Sequence, residues 1–166
     1  MNHEDHENLE DHETFDHKNS DHETLDQGVS PLAPFKMRVQ SPLSREAERV
    51  MTETIGCATA VHRALGPGFL ESIYRKAMRV ELESKGLSYE SERPVKVNYR
   101  GVEISGQRVD LIVEGVIVVE LKAVVRLDEV HRAQVISYLR TTGLRGGLLI
   151  NFRVAVLSRG LRRVVL

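Results

Sequence analysis

The sequence predicts an α/β domain, a mixed β-sheet flanked by helices, over residues 45–166, preceded by a tail of another character. Three observations lead there. Two stretches with apolar residues at helical spacing come first. Short apolar runs bounded by glycine then alternate with one further helical stretch, giving the order ααβββαβ(β). Charge, finally, divides sharply near residue 30.

Residues 1–30 hold ten Asp or Glu and one Lys, net −9, leaving 14 acids and 22 bases, net +8, for the rest. The acidic part holds five of the seven histidines and a degenerate repeat: Asp5-His-Glu-Asn-Leu, Asp11-His-Glu-Thr-Phe, Asp16-His-Lys-Asn-Ser and Asp21-His-Glu-Thr-Leu. Such a segment has too little apolar surface to offset its ordering entropy, so a disordered N-terminal tail is expected. Residues 27–44, with Pro31, Pro34 and Pro42, read as linker.

Ser41-Pro42 or Ser44 can cap a first helix running to about Leu65, with Val50, Thr54, Cys57/Ala58, Val61 and Leu65 on one face. Gly66-Pro67-Gly68 stops it. A second helix over about Phe69–Lys85 ends at Gly86, with Leu70, Ile73, Ala77 and Val80 as the expected buried stripe. Val95, Val97 and Tyr99 alternate as in a half-buried strand that turns near Gly101. Strands at about Gln107–Val113 and Ile117–Lys122 follow, then a helix over Glu129–Thr142. Gly146–Phe152 reads as a buried strand and Leu161–Leu166 as a last one.

Composition excludes several classes. The single cysteine, Cys57, permits no internal disulfide and no thiolate zinc cage, and reads as a small buried hydrophobe. The chain opens on charged residues, and no apolar run approaches the ~20 residues that cross a bilayer. The expectation is a cytoplasmic protein with no membrane partner. The basic domain favours a polyanion, chiefly nucleic acid, because neutralising phosphates releases condensed counterions.

One strand ends unusually. Val116-Ile-Val-Val runs into Glu120-Leu-Lys122, two charges at i and i+2 that share a strand face. An ordinary surface pair explains them until Asp110 is considered. A hairpin with the three-residue loop Glu114-Gly115-Val116 puts Val113 opposite Ile117 and Asp110 opposite Glu120 on the same face, whereas a two-residue turn puts Asp110 on the other. Opposed carboxylates lie ~5 Å apart at Cβ and repel. A hard divalent cation removes that penalty. Lys122 could then orient or deprotonate an attacking water, or stabilise a phosphoryl oxygen.

Asp110…Glu120-Leu-Lys122 resembles the D…(D/E)xK core of the PD-(D/E)XK nuclease superfamily, with Val109 in place of the proline. Gly68-Phe-Leu-Glu71-Ser-Ile-Tyr74 matches the motif that names the GxxExxY proteins, a bacterial family within it. The resemblance runs from about Glu48 to Val165, through Val61-His62, Leu65–Gly68, Val119–Val124, His131–Gln134 and Leu148–Phe152. Arg153 departs from the glycine that often follows Asn-Phe in similar proteins.

The resemblance implies a restriction-endonuclease-like sheet. It implies Glu71 as a helix carboxylate approaching the metal, Asp110 and Glu120 as direct ligands, and the Leu121 carbonyl as a third. Gln134-Val-Ile-Ser-Tyr138 resembles the QxxxY element of the RecB-like branch; its spacing puts both side chains on one helical face, although Tyr138 reads equally as a core aromatic. His62 and His131 read as structural, with His131 a lesser candidate beside the site. The implied activity is hydrolysis of phosphodiester bonds, in DNA, with Mg2+ or Mn2+. The rival is a catalytically inactive nuclease-fold module for nucleic-acid binding or protein interaction. Assembly as a homodimer or within a larger complex stays open.

Overall fold

A computed structural model describes residues 41–166. The repeat tail and the linker as far as residue 40 lie outside the described residues. The elements are α1 (Arg45–Leu65), α2 (Glu71–Ser84), β1 (Tyr89–Tyr99), β2 (Val102–Val113), β3 (Ile117–Lys122), α3 (Glu129–Thr142), β4 (Gly146–Asn151), α4 (Leu157–Gly160) and β5 (Leu161–Val165). The mixed α/β sheet flanked by helices is therefore as expected.

Ser44, rather than Ser41, caps α1: its Oγ accepts the Ala47 N–H at 3.1 Å. Val50, Met51, Thr54, Cys57, Ala58 and Val61 form its buried stripe, and Thr54 Oγ1 donates to the Val50 carbonyl at 2.7 Å, so the one hydroxyl there is satisfied.

In α2 the buried stripe differs from the expected one. Tyr74, Met78 and Leu82 are buried, while Leu70, Ile73 and Val80 face outward and Ala77 is only partly covered. The two stripes lie one residue apart, a rotation of about 100°. The larger stripe wins because Tyr74 stacks on Phe152 (centroids 4.4 Å apart, planes within 6°) and its hydroxyl donates to the Gly66 carbonyl at 2.7 Å. This rotation decides where Glu71 and Arg75 stand.

The sheet order is β1-β2-β3-β4-β5, antiparallel except for β3–β4, where α3 makes the parallel crossover. One face, with Leu111, Val113, Val119 and Leu121, packs against α1 and α2; the other, with Ile112, Val118 and Leu149, packs against Val135, Tyr138 and Leu139 of α3. Gly147 permits that second packing, since a Cβ there would lie 2.6 Å from Val135 Cγ1.

β1 and β2 are longer than expected, and only Val95 of the alternating run is buried: Tyr99 is 60% exposed and Val102 63%. Alternation marks the face of a strand but not how far the covering layer extends, and the second core reaches no further along this hairpin than Val95. No helix among the described residues is long and apolar enough to cross a membrane.

Candidate active site

The β2–β3 turn has the three-residue form. Val113 pairs with Ile117, Ile112 with Val118 and Leu111 with Val119, a register that sets Asp110 opposite Glu120. Gly115 has φ 66°, as the turn requires, and Glu114 has φ 51° with its Oε1 accepting the Ser88 N–H. The recorded pairing stops at Leu111. One step beyond, Asp110 Oδ2 takes the Leu121 N–H at 2.9 Å. The carboxylate thus sits in the gap where the strands part. A strand residue turns its N–H and C=O to the same side, so the Leu121 carbonyl also faces this gap.

Glu120 and Lys122 share the α3 face with Val118. Lys122 Nζ donates to Glu120 Oε1 at 2.5 Å. Glu120 is only 3% exposed, and its Oε2 has no hydrogen-bond partner among the described residues. Burial, then the neighbouring Asp110 charge, push the Glu120 carboxyl up to about 7 against the opposing pull of Lys122. For Lys122, burial works to lower the ammonium, but the hydrogen bond and charge of Glu120, with Glu71 and Asp110, outweigh it and hold it above the ordinary lysine range. Lys122 is therefore a cation.

Two residues reach the gap from α2. Glu71, at its first position, is held above the usual carboxylate range, first by burial; the charges of Lys122, Asp110, Arg75 and His131 all act on it. Arg75, one turn later, donates from Nη1 to Asp110 Oδ1 at 2.9 Å, and its Nη2 lies 3.5 Å from Glu92 Oε1. The β1–β2 register brackets Glu92 opposite Asp110, and Glu92 has φ 53°. Glu92, Asp110 and Glu120 thus stand in one row across three strands, with Arg75 bridging the first two. Sequence reading missed Arg75. Its i+4 spacing from Glu71 was visible; its reach to Asp110 was not.

On α3, Gln134 Nε2 donates to Tyr138 Oη at 2.7 Å, and Tyr138 Oη donates to the Arg108 carbonyl at 2.9 Å. Burial holds the Tyr138 phenol above its usual range. The two residues share one face as expected, but their hydrogen bonds go to each other and to the backbone of β2, two residues before Asp110. His131 Nδ1 accepts the Asp128 N–H in a capping box at the start of α3, and His62 Nε2 meets the Val154 carbonyl at 2.8 Å. Both histidines are engaged in structure.

Asn151 was also missed. Its Nδ2 donates to the Val124 carbonyl at 2.8 Å and its Oδ1 accepts the Val124 N–H at 3.1 Å, pinning the segment that leaves Lys122. A buried asparagine ending an apolar strand was the available signal.

Among the described residues no three His, Cys, Asp or Glu side chains are already arranged to hold a metal ion. Arg75 and Lys122 stand between the carboxylates instead. The donor set nonetheless suits a hard divalent cation: Glu71, Asp110 and Glu120 are oxygen ligands, and Glu120 Oε2 is a buried acceptor with no hydrogen-bond partner among the described residues. A cleft of about 410 Å3 opens beside Glu71, while a second of about 440 Å3, near Arg49 and Lys85, contains none of these residues.

Carboxylates and a lysine gathered where an antiparallel pair opens, on a mixed sheet between helices, form a constellation of the D…(D/E)xK kind. The comparison with family models agrees. Residues 48–164 match the model described as PD-(D/E)XK nuclease superfamily, and the chain belongs to that superfamily. Its members generally use divalent metals, and membership points to a nuclease-like function on nucleic acid. Comparison with curated proteins and with solved structures found no significant match.

Proposed function

We propose that this chain is a GxxExxY protein of the RecB-like branch and a magnesium-dependent nuclease that hydrolyses phosphodiester bonds in DNA, working in the cytoplasm. Glu120 carries the reading. It is a carboxylate buried beside a second one, raised to about 7, with one oxygen paired to Lys122 and the other without a partner among the described residues. A purely structural site has no use for that deficit.

Glu71, Asp110, Glu120 and the Leu121 carbonyl would hold Mg2+, with Mn2+ able to substitute. A bound ion supplies polarisation of the phosphate and acidification of a water. Lys122, paired with Glu120 beside the other carboxylates, would orient or deprotonate the attacking water, or stabilise a non-bridging oxygen. Water adds to phosphorus, one bridging P–O bond breaks, the departing oxygen leaves as a hydroxyl carrying one of the water's protons, and the phosphate monoester formed gives up the other to solvent. Gln134 and Tyr138 act as positioning residues, holding β2 at Arg108 so that Asp110 keeps its place. The GxxExxY assignment is supported by Gly68, Glu71 and Tyr74 standing at the turn into α2 that delivers Glu71.

A second reading, an inactive module that binds nucleic acid or protein, draws on Arg75, whose guanidinium already pairs with Asp110 Oδ1. Magnesium titration by calorimetry, beside cleavage time courses on single-stranded DNA, duplex DNA and RNA, separates the two. Wild type should bind magnesium and cleave, and Glu120→Gln should lose cleavage by on the order of 10²-fold or more. A wild-type chain showing neither metal binding nor metal-dependent cleavage on any substrate leaves the inactive module as the reading.

A further inference from the structure

We infer that the cleft beside Glu71 is a pocket for one unpaired nucleobase of the substrate, so that the chain acts on single-stranded rather than fully paired DNA. The inference rests on the nuclease reading for its location beside the scissile phosphate.

The cleft measures about 410 Å3 and is lined by Gly68, Phe69, Leu70, Glu71, Val124 and Arg153, among others. That volume falls within the range of about 300–1,000 Å3 usual for small-ligand sites. Its lining residues include a phenylalanine, aliphatic residues and an arginine. This set suits a nucleotide, with apolar and π surface for the base and a cation for the phosphate. Glu71 belongs to both the cleft and the proposed site, so an inserted base places its own phosphate next to Asp110 and Glu120.

The platform is built, not incidental. Phe69 is 48% exposed, yet its backbone N–H donates to Tyr74 Oη at 3.2 Å and its ring meets Tyr74 edge-on. Tyr74 is held in turn by Phe152 and by the Gly66 carbonyl. Gly68, at φ 120°, makes the backbone path that presents Phe69. On the far wall Asn151 fixes both the Val124 backbone and the Arg153 N–H. Leu70, which follows Phe69 in the lining, is 75% exposed. Contiguous exposed apolar side chains of this kind mark binding sites. A base within a duplex has both faces covered and its edge paired, so only an unpaired or extruded base can enter.

The test measures binding by the full chain carrying Glu120→Gln, so that nothing is cut, with fluorescence anisotropy and a 2-aminopurine-labelled oligonucleotide. Probes are single-stranded DNA, the same sequence as blunt duplex, and single-stranded RNA. The single strand should bind on the order of tenfold tighter than the duplex, and 2-aminopurine fluorescence should be quenched on binding. Phe69→Ala should weaken single-strand binding by on the order of tenfold and leave duplex binding within about twofold, while Phe69→Trp restores it. Equal RNA and DNA single-strand affinity would keep the pocket and widen the substrate. Duplex preference, or a Phe69→Ala effect that is absent or equal on both forms, overturns the inference. A wild type that cleaves duplex DNA with Phe69→Ala silent removes the pocket and leaves the nuclease reading standing. A chain that cleaves nothing yet keeps a Phe69-dependent single-strand preference does the reverse.

Discussion

Helices α2 and α3 flank the site from opposite faces of the sheet and contribute in different currencies. From α2 come Glu71 and Arg75, full charges that act on Asp110 and Lys122. From α3 come Gln134 and Tyr138, neutral groups whose hydrogen bonds end on each other and on the Arg108 carbonyl. The charged wall holds groups that a bound cation would rearrange, whereas the hydrogen bonds of the neutral wall are satisfied as they stand. A site divided this way separates chemistry from framing. Substitutions on the two walls should therefore fail differently.

The largest effects belong to the strand ends that lie between the two walls. Asp110→Asn and Lys122→Met should each reduce cleavage by on the order of 10²-fold or more. They should part in calorimetry: the amide weakens magnesium binding, while loss of the ammonium leaves it intact or tighter. Equal metal affinity in both variants would put Asp110 outside the ligand set.

Glu120 sharpens the comparison through pH. Its folded carboxyl ionises at about 7 against an ordinary 4.5, so the folded chain keeps a proton that the unfolded chain has lost between those values. Metal-free stability should fall as pH rises through that window, by roughly 3 kcal/mol at most, and level off above it. Magnesium affinity should move oppositely, rising through pH 7 as the carboxylate forms. Glu120→Gln should flatten the stability profile and raise the metal-free Tm at pH 8. Denaturant melts from pH 5 to 8 check this, and a wild-type profile rising toward pH 8 contradicts it.

Arg75→Gln tests the charged wall by removing its resident cation. Magnesium affinity should tighten by about tenfold, because Asp110 Oδ1 is released, while the metal-free chain loses about 1–2 kcal/mol from an uncompensated carboxylate. Weaker magnesium binding in Arg75→Gln would mean that the guanidinium organises the ligands rather than competing with the ion.

The smallest effect is expected on the neutral wall. Tyr138→Phe deletes one hydroxyl with two partners and should cost about 1 kcal/mol of stability, with cleavage reduced by less than about tenfold. A 10²-fold loss of cleavage at unchanged stability would move Tyr138 from framing to chemistry.

Much of this was readable along the chain. β3 and α3 fall at the expected bounds because each is a local pattern with strong ends: an apolar run between Gly115 and charge, and a helix stopped at Gly143, whose φ is 73°. The Asp110–Glu120 alignment followed from counting residues around Gly115, since a three-residue loop fixes the register. What failed was long-range. The stripe that α2 buries depended on Phe152 stacking against Tyr74 from more than seventy residues away, and two candidate stripes one residue apart look alike in sequence. The same rotation carries Arg75 to Asp110 and leaves Phe69 at the mouth of a cleft, and neither contact has a local signature. The lack of a partner for Glu120 Oε2 is likewise tertiary, because burial and partner count belong to packed neighbours on two faces of a sheet. The chain thus determined by itself which residues could do chemistry and in what register, through turn length and strand period. Only packing decided which charges meet, because helix rotation is set by side chains that meet in space rather than in order.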